Sequence, residues 1–417
     1  EKVRMIDPTC GSGHFLLGGF ARLFREWCKV ESNEIKAAQK ALDGVWGVDI
    51  NPFAVAIARF RLIVAAVQAC GIKRLKQAPG WNIHLASGDS LLFGSRPGWK
   101  GERVPLDRQG SLFEVDPIYA VEDPAALREI LGQGYHVVVG NPPYITVKDK
   151  AQNEAIRGLY STCHRQYSLG VPFTQRFWEL AIQQGETHGG CGYIGQITAN
   201  SFMKREFGKK LIEEIFPKID LTHVIDTSGA YIPGHGTPTV ILLGRARKPV
   251  GETVRAVLGI KGEPATPEDP SQGLVWQSIV RQIDQANAQD AFTSTADVPR
   301  RTFASHPWSI GGGGASDLKD RIEATCLNVL EGCISDIGRS THTGEDHVFY
   351  LEPSAVMTKN LREFAVPVIE GESVRDYVIS YNLLSLFPYD LNDAQPVEIN
   401  NQAWTEYFWR YRTSLKS

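Results

Sequence analysis

Four short stretches carry residues that could do chemistry together: "MIDPTCGSGHF" (5–15), "GVDINPF" (47–53), "SGDSLL" (87–92) and "HVVVGNPPYITV" (136–147). The first three each set an aspartate, Asp7, Asp49 or Asp89, where a short apolar run ends. In the fourth, Gly140 closes the β-branched run Val137–Val139. Pro142 and Pro143 then forbid both ladder pairing and helix continuation, so residues 141–144 form a stiff, extended loop at a strand end.

The first stretch turns through Gly11 and Gly13 into a helix, so the main chain can approach a ligand and free N–H donors face it. Phosphate is a poor fit, because Leu16 occupies the third glycine position of the dinucleotide pattern and no Walker lysine is present. An acidic residue ahead of the loop repels phosphate and suits an ammonium group. Asp49 is placed to accept both hydroxyls of a ribose, and Asp89 to accept from an exocyclic amine. Taken singly, each is a turn or helix-cap residue. Together at three successive strand ends, they describe a pocket for an adenosine that carries positive charge.

The elements that must position these residues alternate in type. Strand signals fall at 3–6, 45–48, 82–89, from Tyr135, at 190–200, and in a closing pair at 221–228 and 237–247; helix signals fall at 13–30, 52–70, 167–185 and 204–216. That rhythm predicts an α/β fold, a doubly wound and mostly parallel sheet with helices on both faces. Residues 94–130, rich in glycine, proline and charge, read as an insertion. After Arg247 the composition becomes loop-like, with a glycine run at 311–314, and from Asn328 short mixed α+β pieces follow.

A chain of 417 residues is expected to hold two or three domains. The net charge of −3 excludes wholesale coating of nucleic acid but not a local basic groove. Seven cysteines without paired short spacing suit reduced cytosolic thiols, with no zinc pattern, and no run of membrane-span length or signal peptide is expected. The abrupt start in "KVRMID" suggests a missing upstream segment.

In this order, "DPTCGSGHF", "GVDINPFA", "SGDSLL" and "NPPY" resemble the S-adenosylmethionine-dependent amino-methyltransferases of DNA, of the adenine-N6 group whose cofactor motifs come first. The resemblance continues through "GYIGQITANSFMKREFGKKLIEEI" and "VIDTSGAYIPGHGTPTVILLGRAR", covering residues 3–247. In wording it is similar to the BREX phage-exclusion methyltransferases of the PglX type and to single-chain restriction–modification enzymes. It implies a seven-stranded, Rossmann-like methyltransferase domain over 1–247 and the truncated start of a target-recognition domain over 328–417; the loop-like composition marks 248–327 between them as a connecting region.

The resemblance further implies cofactor contacts at Asp7, Thr9, Cys10, Gly11, Gly13, Asp49, Ile50, Asp89, Ser90, Asn141 and Pro143. Catalysis falls to Asn141, Pro142, Pro143 and Tyr144, with Tyr144 and Tyr231 stacking on the target base and no metal. The cofactor is S-adenosyl-L-methionine, leaving S-adenosylhomocysteine. The partner is double-stranded DNA from which a base is flipped, with other defence-system subunits or phage inhibitor proteins as further partners. An amino nitrogen conjugated to a purine is a poor nucleophile; acceptors at the Asn141 side chain and the Pro142 carbonyl would localise its lone pair, with little reorganisation in so rigid a loop. Other acceptors (protein glutamine, RNA, cytosine N4) and a catalytically silent cofactor-binding module stay open. "HTGEDH" (342–347) and "KREFGKK" (204–210) read as solvated segments, and "TCHRQ" (162–166) holds an adjacent thiol–imidazole pair without an orienting third group. Arg339, Arg375, Arg410 and Arg412 are candidates for phosphate or guanine contacts.

Overall fold

The computed structural model describes residues 3–416 except 99–101, 107–122, 187–189, 235, 309, 314–317, 319–320, 323, 327–329, 335–342, 377, 391–394 and 399. Two compact units divide it, Glu1–Thr325 and Cys326–Ser417.

In chain order the first unit contains β1 (Met5–Asp7), α1 (His14–Trp27), α2 (Glu34–Leu42), β2 (Val45–Asp49), α3 (Pro52–Ala69) and β3 (His84–Ser87). Then come the hairpin β4 (Ser95–Pro97) and β5 (Arg103–Pro105), α4 (Pro124–Leu131), β6 (Val137–Gly140), α5 (Lys150–Leu159), α6 (Gly170–Leu180) and β7 (Tyr193–Ala199). It closes with β8 (Asp220–Asp226), β9 (Thr239–Arg245), β10 (Thr253–Gly259), α7 (Leu274–Gln282) and β11 (Thr293–Pro299). One sheet runs in the order β11-β10-β8-β9-β7-β6-β1-β2-β3. Pairs from β7 through β6, β1 and β2 to β3 are parallel, while β9 runs antiparallel to both neighbours.

Alternation along each strand feeds two cores. Ile6 and Val138 face the layer containing Phe177, Trp178 and Trp308, whereas Met5, with Val137 and Val139 packed alongside, faces Leu16 and Phe20 of α1 and Val55 and Leu62 of α3. Helix starts follow local chemistry. The Asn51 side chain caps α3 ahead of Pro52, and the Asp123 side chain caps α4 ahead of Pro124.

The doubly wound, mostly parallel sheet is present with its seven expected strands, and two more extend one edge. Residues 248–327, expected from composition to be a connecting region, instead supply β10, which pairs parallel to β8, β11, which pairs antiparallel to β10, and α7, whose Val275 and Ile279 pack on Ile225 and Val257. β10 buries Ala256, Val257 and Leu258 in succession rather than alternating, and glycine- and proline-rich flanks further mask the signal. The amphipathic segment at 204–216 is helical only in short 3₁₀ and π turns. Of the insertion at 94–130, residues 107–122 lie outside the described residues, as do Arg339 and His342.

No run of membrane-span length was expected, yet α3 reaches that length with a mean hydropathy of 1.5. Its Val55, Ala58, Leu62 and Ala66 pack in the core, and Arg59 and Arg61 donate to carbonyls of Leu85 and Ser12.

The second unit has its own core, in which Val348, Val356, Leu361 and Leu386 surround Trp404 and Tyr407 of the helix Gln402–Tyr411. Strands Tyr350–Leu351 and Ala365–Val368 flank Leu383–Leu386 in an antiparallel sheet.

Candidate active site

Each aspartate ends or follows a strand at one edge of the sheet, and each loop is bonded to the next. Asp7 is buried; its Oδ1 accepts from Thr9 N at 2.9 Å and from Thr9 Oγ1 at 3.2 Å. Burial pushes its carboxyl up to about 7, against the Thr9 hydrogen bonds. Gly11, at φ 51°, turns the chain so that its N–H donates to Asp49 Oδ2 at 2.8 Å. Asp49 Oδ1 accepts from Asn51 N at 2.9 Å. Asp89 accepts from Leu91 N at 2.8 Å and, through Oδ2, from Gln152 Nε2 at 3.0 Å. Ser90 Oγ donates back to the Pro8 carbonyl at 2.6 Å.

The proline loop closes against the same scaffold. A Cβ at Gly140 would stand 2.5 Å from Asp7 Oδ1 and 3.0 Å from the Phe177 ring, so only glycine lets β6 end this close to the first loop. Asn141 is exposed and Pro142 buried. Tyr144 Oη donates to Asn141 Oδ1 at 2.5 Å, and partial burial pushes the phenol up to about 12. Leu169 N donates to the Ile145 carbonyl at 2.9 Å, tying the loop to the start of α6.

These loops enclose a cleft of about 680 Å³, within the range of small-molecule sites. Thr9, Gly11, Asp49, Ile50, Asp89, Ser90, Asn141 and Pro143 all line it, so most of the expected cofactor residues share one space. Asp7, Cys10 and Gly13 are not among its walls. Cys10 is buried with its N–H on the Val48 carbonyl, and burial raises its thiol. Gly13 serves the close approach of α1 to α3, since a Cβ there would stand 3.0 Å from Ala58 Cβ. Pro142 and Tyr144 are not among its walls either; the Tyr144 hydroxyl is bonded to Asn141, which is. Tyr231 lines a different, apolar cavity of about 520 Å³ with Phe15, Val139, Ile197, Ile241 and Trp276 and is not among the walls of the cleft.

Lys148, Gln152, Leu169 and Phe173 also line the cleft and were not expected from the sequence. Phe173 reads as ordinary helix core and Gln152 as a polar helix face; neither carries a local motif. Acceptors on Asp49 and Asp89, between apolar walls at Ile50, Pro143 and Phe173, suit a flat heterocycle joined to a hydroxylated ring.

A mostly parallel sheet in which β9 runs antiparallel to both neighbours, with a cleft across its strand ends, fits an α/β methyltransferase fold. The family model of the Eco57I restriction-modification methylases matches residues 43–232. Over 432 aligned residues the chain is 45% identical to the adenine-specific methyltransferase PglX of Streptomyces coelicolor, covering 100% of this chain and 35% of that protein. It therefore spans about a third of the length of that relative. It is also 34% identical over 95 residues to type II methyltransferase M.BstVI of Geobacillus stearothermophilus, covering 22% of this chain and 16% of that one. Among solved structures, a modification subunit of a putative type I restriction enzyme from Vibrio vulnificus YJ016 superposes with a TM-score of 0.48 at 14% identity, over 70% of this chain and 50% of that one.

Proposed function

We propose that this chain is the catalytic core of a DNA methyltransferase of bacterial phage defence, which methylates the N6 amine of an adenine flipped from duplex DNA, with S-adenosylmethionine as methyl donor. One observation carries the reading: Asp49, Asp89, Asn141 and Pro143 open onto the same cleft.

The residues present fit such a donor. Each Asp49 oxygen takes one backbone N–H, at 2.8 Å and 2.9 Å, which leaves acceptor capacity for two ribose hydroxyls. Asp89 is the acceptor for the amine of the donor's adenine, and Ile50 and Phe173 are its apolar walls. When bound, S-adenosylmethionine supplies an electrophilic methyl on a positively charged sulfonium.

The chain's own residues handle the acceptor. A base inside a duplex cannot enter a cleft, so it must leave the stack. Asn141 Oδ1 and the Pro142 carbonyl then take the two amine hydrogens and pull the nitrogen toward tetrahedral geometry. Pro142 and Pro143 hold both acceptors in place before the base arrives, so little reorganisation remains. The Tyr144 ring offers a stacking surface, worth about 1–3 kcal/mol per base. Tyr231 is dropped as a second stacking partner. The unit Cys326–Ser417 is taken as the start of a target-recognition region, supported by its separate core and by exposed Arg375, Arg410 and Arg412.

Transfer of labelled methyl to unmethylated duplex, followed by nucleoside analysis, tests this. Label in N6-methyladenine is expected. Label in N4-methylcytosine, RNA or protein, or cofactor binding without transfer, would overturn it.

A further inference from the structure

Helix α6 touches both halves of the cleft. Its leading segment fixes the proline loop through Leu169 N and the Ile145 carbonyl, and Phe173 forms part of the wall. Three residues further on, the Arg176 side chain is fully buried. Its guanidinium donates to three main-chain carbonyls: Nε to Ser90 at 3.0 Å, Nη2 to Phe93 at 2.8 Å and Nη1 to Ser95 at 2.6 Å. Ser90 and Phe93 belong to the irregular segment that follows Asp89, and Ser95 opens β4. From the end of α5, Tyr160 Oη takes the carbonyl of Leu91 at 2.9 Å. Two side chains thus hold the carbonyls of residues 90, 91, 93 and 95.

Residues 88–94 have no ladder or helix of their own, yet they carry Asp89 and Ser90 into the cleft. Burying a guanidinium is costly unless its donors are met. Here they are met by the main chain of one loop, in a planar fork that a lysine ammonium cannot reproduce. Glu179, with Oε2 at 3.9 Å, is the nearest counter-charge.

We propose that Arg176 is a positioning residue for cofactor recognition: from α6 it sets the main chain of residues 90–95, and through it the presentation of Asp89 and Ser90 to the adenine of the methyl donor. The inference rests on the cofactor reading above. It makes α6 the element that holds the donor-binding loop and the amine-binding loop in register.

Two variants test it, Arg176→Lys and Tyr160→Phe, each followed by calorimetric titration with S-adenosylmethionine, duplex binding, thermal melting and steady-state kinetics. Arg176→Lys is expected to raise the Kd and KM for the cofactor about tenfold or more, with kcat at saturating cofactor and duplex affinity near wild type. Tyr160→Phe is expected to do the same by about threefold. A merely structural role would lower Tm and leave the KM-against-kcat split unmoved. Folded variants that bind the cofactor as wild type does would overturn the proposal; should Arg176→Lys fail to fold, unchanged affinity in Tyr160→Phe would do so alone. Wild-type protein giving no binding heat would instead overturn the cofactor reading, and this proposal with it.

Discussion

The hydroxyl of Tyr144 donates to the side-chain oxygen of Asn141 at 2.5 Å, across the two prolines of the loop. That oxygen is the acceptor assigned to the target amine, so the loop satisfies its own acceptor until an amine displaces the phenol. Ring and hydroxyl therefore have separable effects. Tyr144→Phe is expected to keep methyl transfer within a few-fold of wild type, because the stacking surface stays and only a competing donor leaves. Tyr144→Ala is expected to lower kcat/KM for DNA by roughly 5- to 150-fold, the range set by about 1–3 kcal/mol of stacking. Equal losses in both variants, measured by labelled-methyl transfer, would assign the role to the hydroxyl instead.

Asp49 joins the first two loops and presents acceptors to the cleft. Asp49→Ala removes charge-assisted hydrogen bonds of about 1.5–3 kcal/mol each. It is expected to raise the cofactor Kd by at least about tenfold in a calorimetric titration. An unchanged Kd would remove the ribose role.

Asp7 predicts a pH signature. The folded protein keeps this proton to about pH 7, while an unfolded chain releases it near 3.8. The native state therefore binds more protons across that window, and this residue's contribution to stability falls as pH rises from about 4 to about 7. Asp7→Asn keeps an oxygen for Thr9 and cannot ionise. Its Tm relative to wild type is expected to climb across that window and level off above it. Parallel Tm profiles from pH 4 to 8 would show that Asp7 ionises freely in the fold.

Much of the site was legible because its chemistry sits in local signals. Asp49 and Asp89 follow short apolar runs, and Asn141 to Tyr144 are confined by two prolines whatever surrounds them. What was not legible depends on distant packing. Arg176 lies in "TQRFWEL", where an arginine reads as a helix surface; only tertiary structure turns it onto the carbonyls of residues 90, 93 and 95. Gln152 meets Asp89 from 63 positions away. The strands of 253–259 and 293–299 were hidden by the glycine- and proline-rich stretches around them. Tyr231, suggested by its position along the chain, lines a separate apolar cavity.

The central claim is that Asn141 acts on the acceptor amine rather than on the donor. Asn141→Ala, compared with wild type in single-turnover methyl transfer to unmethylated duplex alongside calorimetric cofactor binding, tests it most directly. The account predicts that the transfer rate falls by about 100-fold or more, the loss of about 3 kcal/mol of preorganised stabilisation, while the cofactor Kd changes only a few-fold. A transfer rate equal to wild type, or a loss explained entirely by weaker cofactor binding, would contradict it.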